Sequence, residues 1–185
     1  MARITPVTAP YDDVAAPLLA AMLPNAEPIG LFRTFVRNPA MSAAMTGWGR
    51  YELGRTLSLD RREREIVILR TCARCRCEYE WGVHVAAFAE RAGLDRERLV
   101  SLTHGSAGDP CWSGAERALI DAVDQLHDTA TLDDATWAAV AAGRDERQLL
   151  DLLVLAGWYH AISFAANGAG VDLEPWAPRF ADYEP

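Results

Sequence analysis

The stretch Leu59–Leu94, LDRREREIVILRTCARCRCEYEWGVHVAAFAERAGL, decides the fold and carries most of the chemistry. It is entered through Ser58-Leu59-Asp60, where Ser58 or Asp60 can accept from unbonded backbone amides and Glu63 and Glu65 suit the positive end of a helix. The apolar spacing that follows predicts a helix from Arg61 to about Cys72, ending within CARC. A second helix is expected from about Glu78 to Arg91, with Gly93 as its stop.

Outward from this pair nearly everything reads as helix. On the N-terminal side Tyr11–Leu23 is amphipathic and closed by Pro24, Ile29–Arg37 is closed by Asn38-Pro39, and Ala40–Thr56 has small residues on one side. On the other side Asp95–Leu102 is short, and THGSAGDPCW (103–112) is a loop. Ser113 caps a helix to about Asp128, with Glu116 as its capping-box partner. Asp133 or Asp134 starts Ala135–Ala142, and Asp145 starts a long helix through Ala166. The tail NGAGVDLEPWAPRFADYEP (167–185) is broken by Gly and Pro and is expected over the surface. With no strand alternation, low-complexity tract or repeat, the expectation is an all-α fold of eight to nine helices forming one domain over 1–185. Its core would lie at about 40–130, a C-terminal helical half at 131–170 and a surface tail at 171–185.

Half of the 185 residues are hydrophobic and 24% are charged, the balance of a globular chain able to bury its own core. Eighteen Lys and Arg, all of them arginine, face 26 Asp and Glu, for a formal charge of -8. No basic stripe interrupts that balance; Arg61, Arg62 and Arg64 alternate with acids, as on a solvated helix face. Nucleic acid and anionic membrane surfaces are therefore poor partners. The N-terminal residues have no apolar run of signal-peptide length. The most apolar window, Leu149–Ala166, carries Asp151 and His160, so no membrane span is expected and a cytoplasmic location is. In that compartment clustered cysteines serve as thiols, catalytic pairs or metal ligands more often than as structural bridges.

Cys77, Glu80 and His84 fall on one helix face. A glutamate one turn from a histidine can orient the ring, hold it as imidazolium or exchange its proton. Cys77 at the helix start would have its thiolate favoured by the dipole and by a protonated His84. The plainer alternative is a polar helix face on which Glu80 and His84 satisfy each other and Cys77 packs. Cys72 and Cys75 form a C-x-x-C able to carry a reversible disulfide. With Cys77 and His84 they make four candidate zinc ligands, but structural zinc sites draw on two separated pairs and these crowd together, so no metal is expected. Cys111 reads as a small hydrophobe. His160, beside Trp158 and Tyr159, either lines the cavity of His84 or packs in the core or a subunit contact, whereas His104 and His127 have no partner in sequence. Phe35, Trp48 and Tyr51 either roof a pocket or belong to the core.

These residues resemble the carboxymuconolactone decarboxylase and AhpD-like alkylhydroperoxidase superfamily. Its redox-active members carry a glutamate, eleven residues, then C-x-x-C-x-x-x-H. Glu65, eleven residues, Cys77, Glu80 and His84 fit that frame, with Glu80 where the second cysteine stands. The later ALIDAVDQLHDTATLDDATWAAVAAGRDERQLLDLLVLAGWYHAISFAANGAGVDLEP is similar to the C-terminal half of a bacterial subgroup. The resemblance implies an all-helical fold, assembly as trimers or hexamers, a small-molecule substrate and no cofactor. Glu65 and His84 carry over to both the decarboxylase and the redox branch, and Cys77 to the redox branch alone.

Three functions follow as expectations. The first is a cofactor-free lyase or isomerase in which Glu65 orients His84, His84 moves a proton beside a carbonyl and Glu80 supplies a second, with Tyr79, Trp81 and His160 as substrate-pocket candidates. The second is a thiol peroxidase (an alkylhydroperoxide reductase with peroxiredoxin activity) using Cys77, with Cys72 or Cys75 as resolving thiol. The third is a non-catalytic ligand-binding oligomer whose ancestral site has decayed.

Overall fold

Nine α-helices and no strand form among the described residues, 2–185 of the computed structural model. The all-helical expectation holds. The helices fall into two units, one of residues up to Leu57 with Ala165–Pro175, the other of Ser58–Phe164 with Trp176–Pro185.

The first unit contains α1 (Ala15–Met22), α2 (Gly30–Phe35) and α3 (Pro39–Glu52). Ala15, Leu19 and Val36 form its buried centre, with Val7, Tyr11, Leu18, Met22 and Phe32 packed on them. Helix α1 begins at Ala15 and not at Tyr11, because the Asp12 carboxylate accepts from the amides of Val14 (3.1 Å) and Ala15 (2.7 Å) and holds the preceding residues as a turn. Asn38 caps α3 by accepting from the Met41 amide, with Pro39 at the first helical position, where its missing N–H costs nothing.

The second unit is built around α4 (Arg61–Arg74). Asp60 caps it in a reciprocal box with Glu63, and every residue from Arg64 to Cys72 is buried. The other helices are α5 (Glu78–His84), α6 (Arg96–His104), α7 (Gly114–Thr129), α8 (Asp134–Ala141) and, up to Phe164, α9 (Glu146–Ala169), of which α5, α6 and α7 pack on α4. A buried arginine of α4 fastens two of them, α6 and α7. Arg70 grips both Asp124 oxygens at 2.6 Å and donates to the carbonyls of Leu102 and Gly105 at 3.0 Å.

The turn between α4 and α5 is closed by the Cys77 amide donating to the Cys72 carbonyl (2.8 Å), with Arg76 in left-handed backbone (φ 52°). The single helix expected over 78–91 is instead α5, a wide π-turn at Val85–Ala89 and a tight turn at Glu90–Ala92. Widening of this kind leaves no trace in apolar periodicity, and it begins directly after His84. Gly93 ends the run at φ 65°, where a Cβ would be strained.

The tail does more than cover surface. Phe180 and Tyr183 lie against the Trp81 ring at 5.0 and 5.3 Å, and the Phe180 amide donates to Glu78. Gly82 leaves no room for a side chain against Ala177 and the Pro178 carbonyl. Helix α9 is long and apolar enough to cross a membrane, which corrects the expectation that no segment approaches a span. One aspartate and one histidine do not outweigh its aliphatic residues. Half of the apolar stretch is buried inside the protein, as in a core helix, and Asp151 within it accepts from the amide and hydroxyl of Ser58 at 2.7 and 2.6 Å.

Candidate active site

Glu65 lies in the second turn of the fully packed α4, so its carboxylate has no access to solvent. Two cations answer it. The neighbouring Arg64 donates to Oε1 from Nε (2.9 Å) and Nη2 (2.8 Å), and His84 Nδ1 meets Oε2 at 2.8 Å. Glu80, one turn before His84 on α5, brings Oε1 to 3.5 Å from Nε2. Tyr159 of α9 brings its hydroxyl to 3.1 Å from the same nitrogen. Phe88 stacks 5.1 Å from the imidazole, with the Arg64 guanidinium 5.4 Å over its own ring.

Burial pulls the His84 pKa down, but the charge and hydrogen bond of Glu65, and then those of Glu80, outweigh it and raise the pKa from 6.5 to about 9. At neutral pH the ring is an imidazolium: Nδ1–H donates to Glu65, and Nε2–H points toward Tyr159 and Glu80. Burial, followed by the charges of Glu80 and Glu65, pushes Tyr159 well above 10, so it stays a phenol with a proton to give. Glu80 Oε2 is buried and has no hydrogen-bond partner among the described residues. A buried carboxylate oxygen without a donor is costly, and an incoming polar group would relieve that cost.

Cys77 is buried beside this group, and its expected thiolate character is corrected. Burial, and then the negative charge of Glu80, outweigh the hydrogen bond from the Glu80 amide and push the thiol up to about 11. Burial likewise raises Cys72 and Cys75. The Ser163 hydroxyl donates to Cys72 Sγ at 4.0 Å, and Ser163 partly offsets burial in all three thiols.

Of the pocket candidates, Tyr79 and Trp81 are buried, and Trp81 anchors the tail. His160 turns elsewhere: its Nε2 lies 3.0 Å from His127 Nδ1, and its Nδ1–H donates to the Ala156 carbonyl at 2.8 Å. His127, expected to stand alone, thus has a partner 33 residues away. The α9 residue that reaches His84 is Tyr159, which sequence reasoning missed as a site residue. A signal existed. Leu152, Leu155, Ala156, Tyr159, Ile162, Ser163 and Ala166 form the buried stripe of α9 at helical spacing, and His160 falls off it. Elsewhere, Cys75, His127 and His160 present ligand atoms within 4.8 Å of one another.

The fold and this acid–histidine–thiol group define a class, small all-helical proteins with a buried glutamate–histidine centre at the junction of a central helix pair. Residues 39–125 match the model of the carboxymuconolactone decarboxylase family. That stretch, a little under half of the chain, is thus similar to the family that the Glu65–His84 frame resembles. No curated protein matches the sequence. Among solved structures, the debrominase Bmp8 in complex with 2,3,4-tribromopyrrole, in a form with one cysteine replaced by alanine, superposes with TM-score 0.75 at 15% identity, covering 94% of this chain and 92% of that one. A peroxidase-related protein with an alkylhydroperoxidase AhpD core from Ralstonia eutropha JMP134 gives 0.76 at 16% identity, covering 93% of each chain. A protein from Agrobacterium tumefaciens described as a putative antioxidant defence protein AhpD gives 0.68 at 18%, covering 76% of this chain and 95% of that one. Likeness at such identities speaks for the fold alone.

Proposed function

We propose that the chain is a cofactor-free acid–base enzyme that decarboxylates or isomerises a small oxo-acid or lactone. The observation that carries this reading is His84, an imidazolium clamped between Glu65 and Glu80, with the second Glu80 oxygen buried and unpartnered among the described residues. A histidine already protonated at neutral pH acts as acid, which leaves the base role to Glu80. In decarboxylation the carbon–carboxylate bond breaks and its electron pair moves into the adjacent carbonyl. The resulting enolate oxygen accepts from the Tyr159 hydroxyl, polarised by the imidazolium, and His84 protonates the carbon before solvent restores its proton. In isomerisation Glu80 Oε2 removes a proton beside the carbonyl and returns it at another carbon. Glu65 and Arg64 act through His84, fixing its ring and balancing its charge. The same proposal takes in the family resemblance: a small-molecule substrate, assembly as a trimer or hexamer, neither nucleic acid nor membrane as partner, and a cytoplasmic setting.

The test uses carboxymuconolactone and a panel of 3-oxo acids, followed by CO2 release and by proton–deuterium exchange in D2O. The expected result is turnover that falls a hundredfold or more in His84→Gln, about the worth of a positioned general acid, and survives Cys77→Ser. Turnover that persists in His84→Gln removes the proposal.

A second reading has one observation in its favour, the Ser163 hydroxyl, which donates to Cys72 Sγ and partly offsets the effect of burial on Cys72, Cys75 and Cys77. Here Cys77 sulphur would attack an organic hydroperoxide, releasing the alcohol and forming a sulfenic acid. Cys72 or Cys75 would then condense with it to a disulfide and water. The raised thiol pKa values weigh against it. Mass spectrometry after one equivalent of tert-butyl hydroperoxide decides: with neither sulfenic acid nor new disulfide among these cysteines, the thiol reading is lost.

A further inference from the structure

Three side chains remote from each other in sequence meet outside the acid–histidine group. Cys75 follows the end of α4, His127 lies in the last turn of α7, and His160 is on α9. Cys75 Sγ is 3.9 Å from His127 Nδ1, His127 Nδ1 is 3.0 Å from His160 Nε2, and all three atoms lie within 4.8 Å of one another. All three residues are half-buried.

From these positions we infer a metal site: Cys75, His127 and His160 bind one Zn2+ ion, leaving a fourth position for water or an exchangeable ligand. A tetrahedral ion with ordinary Zn–N and Zn–S bonds needs ligand atoms about 3.3 Å apart for two nitrogens and about 3.6 Å for nitrogen and sulphur. Two edges, 3.9 Å and 3.0 Å, lie within a few tenths of an ångström of that geometry, and the third, Cys75 to His160, closes to it from at most 4.8 Å by a side-chain shift of up to about 1 Å. One thiolate and two imidazoles form a donor set suited to zinc and ill suited to magnesium or calcium.

The tautomers agree with it. His160 Nδ1–H is committed to the Ala156 carbonyl, so the neutral ring aims the Nε2 lone pair into the group. Donation of the distal N–H to a backbone carbonyl is the arrangement that orients metal-bound histidines. Without metal, His127 Nδ1–H donates to His160. With metal, His127 moves its proton to Nε2 and Cys75 gives its thiol proton to solvent. The ligand set differs from the Cys72, Cys75, Cys77 and His84 group considered from spacing, because His127 lies 52 residues beyond Cys75 and His160 a further 33 beyond His127.

The full-length reduced protein, stripped with chelator, is titrated with Zn2+ against a chromophoric chelator and, separately, with Co2+. One equivalent of zinc is expected, and the cobalt form should show a thiolate-to-metal charge-transfer band and the strong visible bands of a tetrahedral ion. Cys75→Ser should abolish the charge-transfer band, and Cys75→Ser, His127→Gln and His160→Gln should each weaken zinc at least tenfold, with circular dichroism as the check on folding. Cys111→Ser should bind as the parent does. The inference is overturned if no equivalent binds, or if binding is unchanged in Cys75→Ser and in either folded histidine variant. In the first case the group is a hydrogen-bonded pair beside a thiol; in the second the metal sits elsewhere.

Discussion

Tyr159 and His160 are consecutive on α9, yet they join two histidine centres of opposite character. Tyr159 meets His84, which is buried and charged, while His160 meets His127, which is half-exposed and whose pKa is lowered. Desolvation alone would order them the other way, since it disfavours an imidazolium most where water is scarcest. Neighbours reverse the order. Two carboxylates lie within 3.5 Å of His84, and they overcome its burial. His127 is lowered first by burial, then by His160 and Arg74, and Asp128 and Asp124 do not compensate. One centre is thus equipped to give a proton and the other to offer lone pairs.

The largest effect expected from breaking this contrast comes from Glu65. Its carboxylate bonds both Arg64 and His84 where water has little access, so Glu65→Ala removes from each a buried ion-pair partner. Removing one partner of a buried ion pair costs about 3–5 kcal/mol. Urea unfolding at neutral pH should register a loss of that size. A loss below about 1 kcal/mol would place the pair among those that contribute little, and His84 would need another explanation for its charge.

The next effect is the pH dependence that His84 imposes. Its folded pKa of about 9 exceeds the unfolded value of 6.5, so the folded state binds the proton more tightly. The stability contributed is fully present below pH 6.5 and is lost as pH rises through about 9. A rise from 6.5 to about 9 corresponds to roughly 3 kcal/mol. Unfolding free energies measured across that window should fall for the parent chain and run flatter for His84→Gln. Parallel curves for the two would mean that His84 is not the titrating group.

Local chemistry accounts for what the sequence disclosed. The boxes at Asp60–Glu63 and Ser113–Glu116 formed as the residue types require, and the start of α5 put Glu80 and His84 one turn apart. Glu65 was legible through the family frame, not through spacing, because its contact with His84 spans nineteen residues and two helices. Tyr159 lies 75 residues from His84, beyond any local period, and only the buried stripe of α9 could have separated it from His160. The thiol state of Cys77 was misread because a helix start was weighed without the burial around it, and burial has the larger effect. The hold of Phe180 and Tyr183 on Trp81 was hidden in a segment whose Pro and Gly content reads as surface.

The smallest effect is expected on the other side of the comparison. His127 and His160 share one neutral hydrogen bond at 3.0 Å with water nearby, so a group left alone there can be solvated. Neutral bonds of this kind contribute about 1 kcal/mol. His127→Leu, measured in excess chelator, should therefore cost about 1 kcal/mol or less, and its pH curve between 6.5 and 9 should follow the parent's, because His84 keeps both carboxylates. A cost near that of Glu65→Ala would mean that the His127–His160 contact holds α7 to α9 as firmly as the buried ion pair holds α4 to α5. The contrast drawn from exposure and charge would then fail at its weaker end.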